Sequence, residues 1–271
     1  MNKILYLTYR RVRPGFGVPF ASILMYGAFN GGLTWSIFIA ALGFMLLEVF
    51  GGFYNDYWDY DDDIKNKRKD KFTTLGLLNK YQARNLSFLI AAIGLVFIWF
   101  TNIFVFVISL YYSILFILYS HPLTHLKGSV KGYMIATSMY LILPFTLNTL
   151  IGAETTLYGF MFGLFFFFQF TYILCQKDST DKKDSTNLFM IHGWERYTKI
   201  TALFGALSSL SLLLISFINP YFILIWALNA FVKFLNINSI RKKTITRKLR
   251  YRIVLTEFFT PFIYLIGVVI V

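Results

Sequence analysis

Apolar runs longer than about 16 residues recur along the chain at 15–32, 33–54, 84–101, 102–120, 132–151, 155–175, 198–217, 219–238 and 253–271. A helix needs about 20 apolar residues to cross a bilayer, so the pattern predicts nine membrane-spanning helices. The connections after the first, third, fifth and seventh runs are very short and almost uncharged, as in Asn30-Gly31-Gly32 and Asn219-Pro220. The others are longer and basic. Ahead of the first run stand 4 lysines and arginines, and the next four long connections hold 7, 2, 5 and 8, which is the chain's full 26. Such a one-sided distribution puts the N-terminus and the basic loops in the cytoplasm and the C-terminus outside. A wrong number of helices would have scattered the cations over both faces.

Composition narrows the class. Hydrophobic residues make up 57% and charged residues 14%, against about 25% charged in soluble domains, so a water-soluble fold is excluded. The net charge of +13 sits beside the spans, where it serves topology and contact with anionic membrane lipids rather than nucleic acid. A single cysteine, Cys175, rules out an intrachain disulfide framework and speaks against a thiolate metal site. The basic start through Arg13 runs into an apolar segment without a small-residue cleavage pattern, so no cleavable signal peptide is expected. No polar linker interrupts the spans, which predicts one domain over 1–271. Acidic segments follow the second and the sixth helix, which hints at a repeat of four-helix units with one helix added.

The acids carry the chemistry. Nine of the 13 fall in two segments, 56–70 and 178–184, on the same membrane side. If the second helix continues, Asp56, Asp59 and Asp63 lie at i, i+3 and i+7 on one stripe, with Asn55 four residues before Asp59. Asp178, Asp181 and Asp184 repeat the spacing of three after the sixth helix. Carboxylates so close together repel, and a membrane boundary adds a desolvation cost; a divalent cation relieves both. Oxygen donors without histidine or cysteine favour Mg²⁺, which keeps several waters and bridges carboxylates to phosphates, so the inferred ligand is a diphosphate. Asp61, Asp62 and Asp70 read instead as solvated charges. His121, His125 and His192 lack metal-ligand spacing.

The pattern Asn55-Asp56-x-x-Asp59-x-x-x-Asp63, followed by Asn66, resembles the first motif of the UbiA superfamily of intramembrane prenyltransferases, and Asp178-x-x-Asp181-x-x-Asp184 is similar to its second. Their places after the second and sixth of nine helices agree, as do Arg13-Pro14 before the first helix, Tyr119-Ser120 ending the fourth and Lys127 just after it. The resemblance implies an all-α, polytopic membrane helical bundle around a central cavity. Two Mg²⁺ ions would join a prenyl diphosphate donor to the acidic motifs, and the prenyl group would pass to a lipophilic acceptor such as a quinone precursor, a carotenoid or another lipid. Asn66-Lys67-Arg68-Lys69-Asp70-Lys71-Phe72 stands where many quinone-pathway members carry an Arg-Pro pair. The Arg-Thr element of the haem and hydroxybenzoate types is absent too, and both departures speak against those two acceptors.

Roles follow for the remaining candidates. Asp56, Asp59, Asp63, Asp178 and Asp181 are the expected catalytic acids, and Asn55 and Asp184 join them as metal ligands. Arg13, Lys71, Lys127 and Lys177, with Lys67 and Arg68, are placed to neutralise a leaving diphosphate. An allylic cation needs a dry pocket and aromatic faces, for which Phe53, Tyr54, Tyr57, Trp58, Tyr119 and Tyr172 are candidates. Glu48, an ionisable residue inside a span seven residues before Asn55, is a candidate for binding or deprotonating the acceptor. Glu257 is expected to pair with Arg250 or Arg252. Two alternatives use the same acids: a terpene cyclase that needs no acceptor, and a divalent-cation transporter. Transport sites lie near the membrane midplane, whereas these acids gather at one face.

Overall fold

The structure is a computed structural model that describes residues 20, 23–24, 33–65, 71–124, 126, 128–151, 157–178, 188–244, 249 and 252–253. The expected first span at 15–32 and last span at 253–271 therefore lie almost wholly outside the described residues. The described helices are α1 (Trp35–Trp58), α2 (Tyr60–Lys65), α3 (Lys80–Trp99), α4 (Ile103–Ser120), α5 (Val130–Thr137), α6 (Met139–Ile151), α7 (Leu157–Asp178), α8 (Leu188–His192), α9 (Trp194–Ile218) and α10 (Phe222–Arg241). Among the described residues six helices, α1, α3, α4, α7, α9 and α10, are long and apolar enough to cross a membrane. Their outer faces carry large apolar side chains such as Phe104, Phe217, Leu224 and Leu228, each more than half exposed. So many large apolar side chains left exposed suit lipid and not water. The protein is an all-α, multi-pass integral membrane protein.

Side-chain caps fix several helix starts. Thr34 Oγ1 accepts from the Ile37 N–H, Asn102 Oδ1 from Phe104 and Ser129 Oγ from Gly132. At α3, Asn79 and Gln82 form a reciprocal capping box, satisfying two donors that the first turn leaves open. That box starts the helix at Lys80, four residues ahead of the apolar run, because Lys80-Tyr81-Gln82 is helical without being hydrophobic. The expected helix at 132–151 is corrected: it is two segments, α5 and α6, separated at Ser138. The Ser138 hydroxyl and N–H both donate to the Ile135 carbonyl, at 2.6 and 3.2 Å. This tightened turn competes with the regular helical ladder, which a hydropathy pattern does not register.

The chain forms two compact units, residues 1–124 with 149–151, and 125–148 with 152–271. In the first, α1 packs along α3. Gly43 and Gly94 make the crossing possible: a Cβ on Gly43 would stand 2.4 Å from Ile98 Cγ1 and 2.9 Å from the Gly94 carbonyl. Small residues at such a contact let helix backbones approach, which is how spanning helices associate in lipid. Gly43→Ala is expected to cost about 1–3 kcal/mol through overpacking, read as a lowered midpoint of thermal unfolding in detergent; an unchanged midpoint would contradict this crossing. Below it, Phe50 contacts the rings of Tyr54, Phe88 and Phe116 at 5.7, 6.1 and 6.2 Å. This cluster locks the last turns of α1, which carry the acids. In the second unit, α7 packs on α9, α9 on α10 and α5 on α7.

Candidate active site

Helix α1 ends at Trp58, and Asp59 closes it with αR backbone (φ −80°, ψ −1°). The hydrogen-bond ladder almost survives the break, because the Asp59 N–H donates to the Asn55 carbonyl at 2.9 Å and Asp63 N–H to the Asp59 carbonyl at 2.8 Å. The three acids thus keep a common side. Lys71 Nζ lies 3.1 Å from Asp56, 3.8 Å from Asp59 and 2.5 Å from Asp63. Asn55 Nδ2 donates to Asp59 Oδ2 at 2.7 Å, which orients the more exposed carboxylate. Asp56 is 0%, Asp63 4% and Lys71 5% exposed.

Lys71 is brought here by the turn that follows it. Thr74 Oγ1 and the Leu75 N–H both donate to the Lys71 carbonyl, at 3.1 and 3.2 Å, and Gly76 leaves the turn at φ +70°. Phe72 packs on Phe53 beside it, ring centroids 5.8 Å apart. One ammonium against three carboxylates leaves these four groups with a net charge of about −2 when all are ionised. Burying carboxylates costs several kcal/mol each unless a cation offsets it. Three hard oxygen donors around one cation are the donor set that suits Mg²⁺, and in the present arrangement the ammonium stands between them. Accordingly, no group of three acidic, histidine or cysteine side chains among the described residues closes into a metal cage by itself. Asp61 and Asp62 are exposed and pair with Lys80 at 2.9 Å and Lys65 at 3.6 Å.

In the second unit Asp178 ends α7 and is buried. Its two carboxylate oxygens accept from the Tyr133 hydroxyl at 2.8 and 2.9 Å, and Oδ2 also accepts from the Leu188 N–H at 2.7 Å. The hydroxyl comes from α5, where Thr137 also bonds Thr171 of α7 at 2.6 Å. Asp178 is therefore held from two sides before any ligand arrives. Asp181, Asp184, Arg13 and Lys127 lie outside the described residues, as does the side chain of Lys177.

The other candidates divide. Tyr119 is half-buried in the last turn of α4, and Glu48 is half-buried on the face of α1 that also carries Asn55. Trp58 packs on the His121 ring at 4.6 Å, and Tyr57 faces Arg84 and Lys80, each at 5.5 Å. Tyr54 belongs to the Phe50 cluster. Tyr172 is fully buried in the second unit, its hydroxyl 3.5 Å from the Lys233 carbonyl. Two residues of interest were missed by the sequence pattern. Tyr133 carries no motif signal. Lys233, counted among the basic-loop charges, is instead in the interior of α10 and buried; the spacing of Asn229, Lys233 and Asn236 could have disclosed it.

Comparison with known proteins follows this geometry. A model of the UbiA prenyltransferase family matches residues 17–261. Comparison with curated proteins returns no match. Among solved structures, a UbiA homolog from Archaeoglobus fulgidus bound to GPP and Mg²⁺ is similar over 100% of both chains, with 16% identity and a TM-score of 0.73. A digeranylgeranylglyceryl phosphate synthase is similar over 100% of both chains, with 16% identity and a TM-score of 0.70. The apo structure of a UbiA homolog from Aeropyrum pernix K1 covers 95% of this chain and 97% of its own, with 15% identity and a TM-score of 0.66. The acids that gather on Lys71 and the aspartate that closes α7 thus lie in a sequence matched almost from end to end, and the chain belongs to the UbiA prenyltransferase family.

Proposed function

We propose that the protein transfers a prenyl group from a prenyl diphosphate to a lipophilic acceptor within the membrane, using Mg²⁺ held by its aspartates. The observation that carries this reading is the convergence of Asp56, Asp59 and Asp63 on one buried cation at the end of a spanning helix. Family membership and the likeness to structures bound to GPP and to DMAPP with Mg²⁺ support it.

Asp56, Asp59, Asp63 and Asn55 would hold metal in the first unit, and Asp178, Asp181 and Asp184 in the second. The chemistry supplied by the bound metal is neutralisation of the negative charge that grows on the departing diphosphate. Tyr133 and the Leu188 N–H keep Asp178 in one orientation, so little reorganisation is needed when charge develops. Arg13, Lys71, Lys127 and Lys177 add donors to the diphosphate. As the C–O bond breaks, positive charge grows on the prenyl carbon, and apolar and aromatic residues such as Phe53 and Trp58 exclude the water that would capture it. The acceptor's nucleophile then bonds to that carbon and gives up a proton, for which Glu48 is the candidate base. The Asp-bearing ends are assigned to the cytoplasmic side by the lysine and arginine distribution.

The test is mass spectrometry of products from purified protein given allylic diphosphates of several lengths, Mg²⁺ and a total lipid extract. Wild type should yield a prenylated lipid that Asp59→Ala combined with Asp181→Ala does not. A cyclised product formed without added lipid would replace transfer with cyclisation, and no diphosphate release under any condition would overturn the reading.

A further inference from the structure

The start of α3 carries an arginine, Arg84, with no carboxylate partner among the described residues. Tyr81, Arg84 and Phe88 stand at i, i+3 and i+7 of α3 and so share a stripe of that helix. Tyr81 is 61% and Phe88 47% exposed, and from Phe88 onward the large outward side chains are apolar, as at Leu89, Ile93 and Val96. Arg84 precedes Phe88 by four residues and therefore lies about 6 Å outside the band that faces acyl chains. That is the level of the lipid phosphates, on the side assigned to the cytoplasm by the lysine and arginine distribution.

The charge of Arg84 is the local excess. Lys80 Nζ lies 2.9 Å from Asp61 Oδ2 and Lys65 Nζ 3.6 Å from Asp62, so the two exposed acids of α2 each already have a lysine. Arg84 Cζ lies 5.5 Å from the Tyr57 ring of α1 and 5.5 Å from the Tyr81 ring, and the two rings are 6.3 Å apart. Those three distances put the guanidinium across the edge of the ring pair and not between the rings, so one flank is held and the other stays open. Its hydrogen bonds among the described residues are two long ones, from Nε and Nη2 to Asn85 Oδ1, each at 3.4 Å. A planar fork of donors held against aromatic rings is pre-organised to meet phosphate oxygens two at a time, which a lysine is not.

We propose that Arg84, seated on Tyr57 and Tyr81, binds the phosphate of an anionic membrane lipid. The level of the guanidinium selects a headgroup, and the apolar stripe that begins at Phe88 receives the acyl chains. The anionic lipids of the cytoplasmic leaflet are what a basic group at that boundary attracts. Tyr57 belongs to the last turn of α1, between Asp56 and Asp59, and Phe88 packs on Tyr54 of α1 with ring centroids 5.6 Å apart. A lipid bound here braces α3 against the turns of α1 that carry the acids.

The probe is dioleoylphosphatidylglycerol, with dioleoylphosphatidylcholine as the zwitterionic control of the same acyl chains. Each is added to delipidated full-length protein in a non-ionic detergent and followed by native mass spectrometry and thermal unfolding. Phosphatidylglycerol should raise the thermal midpoint of wild type by several degrees, clearly more than phosphatidylcholine does. Arg84→Gln should bind phosphatidylglycerol about fivefold more weakly. Arg84→Lys keeps the charge but loses the fork, and should weaken binding about threefold; Tyr81→Leu, at an exposed position, should weaken it too. Arg196→Gln removes an exposed arginine of α9 and should bind as wild type does. Equal binding by wild type and Arg84→Gln overturns the proposal. A loss as large in Arg196→Gln also overturns it, because the lipid would then answer to bulk charge. Protection by millimolar inorganic phosphate equal to that by phosphatidylglycerol would assign Arg84 to a soluble phosphate and overturn the lipid. None of these readouts involves turnover, so their failure leaves the prenyltransferase reading standing, and absence of prenyl transfer leaves the lipid site standing.

Discussion

Asp56→Asn is expected to lower prenyl transfer by about a thousandfold, the order of loss seen when a group aimed at developing transition-state charge is removed. Asp56 is the most deeply buried of the acids on Lys71 and lies 3.1 Å from its ammonium. Asparagine keeps the volume and one oxygen but loses the charge, so the divalent cation is held more weakly. The fold should survive, because Lys71 retains Asp63 at 2.5 Å. The check is an initial-rate titration with Mg²⁺ beside a thermal unfolding curve. A folded variant that turns over within tenfold of wild type would remove Asp56 from the metal set.

Lys71→Met is expected to show its largest effect without metal. Three carboxylates would then face one another in a buried place with their ammonium gone. Removing one partner of a buried ion pair costs about 3–5 kcal/mol, and at about 2–4 °C per kcal/mol for a chain of this size the midpoint should fall by roughly 10 °C. Millimolar Mg²⁺ or Mn²⁺ should restore much of that loss in the variant, more than it stabilises wild type, because the metal takes over the neutralisation and meets no resident ammonium. Metal-free midpoints that coincide for the two proteins would show that the carboxylates do not depend on Lys71.

Where the apolar pattern was long and bounded by polar residues, it located helices well. The runs 33–54 and 102–120 correspond to Trp35–Trp58 and Ile103–Ser120. It failed where hydrophobicity and helicity part company. The start at Lys80 is set by a capping box and the break at Ser138 by a hydroxyl bonding back to Ile135, and neither changes hydropathy. At the site, spacing alone put Asp56, Asp59 and Asp63 on one side. That Lys71 meets all three depends on where the turn beginning at Lys71 packs against the end of α1, and that Tyr133 holds Asp178 depends on a contact 45 residues apart; neither is a local property. Lys233 was hidden because counting cations by loop assigns every lysine to a membrane surface.

The length of α1 has a further meaning. Its 24 residues rise about 36 Å, some 6 Å more than the hydrocarbon thickness of an ordinary bilayer, about 30 Å. The excess is enough to lift the turn bearing Asp56 to headgroup level while the rest of the helix stays among acyl chains. On the proposed function, a water-borne metal and a lipid-borne isoprenoid would then meet at one helix end, neither leaving its own phase. A thicker bilayer would draw that turn inward or force α1 upright. With the metal-binding role proposed for these acids, the acyl-chain length of the host membrane would become a determinant of how readily they are charged with metal.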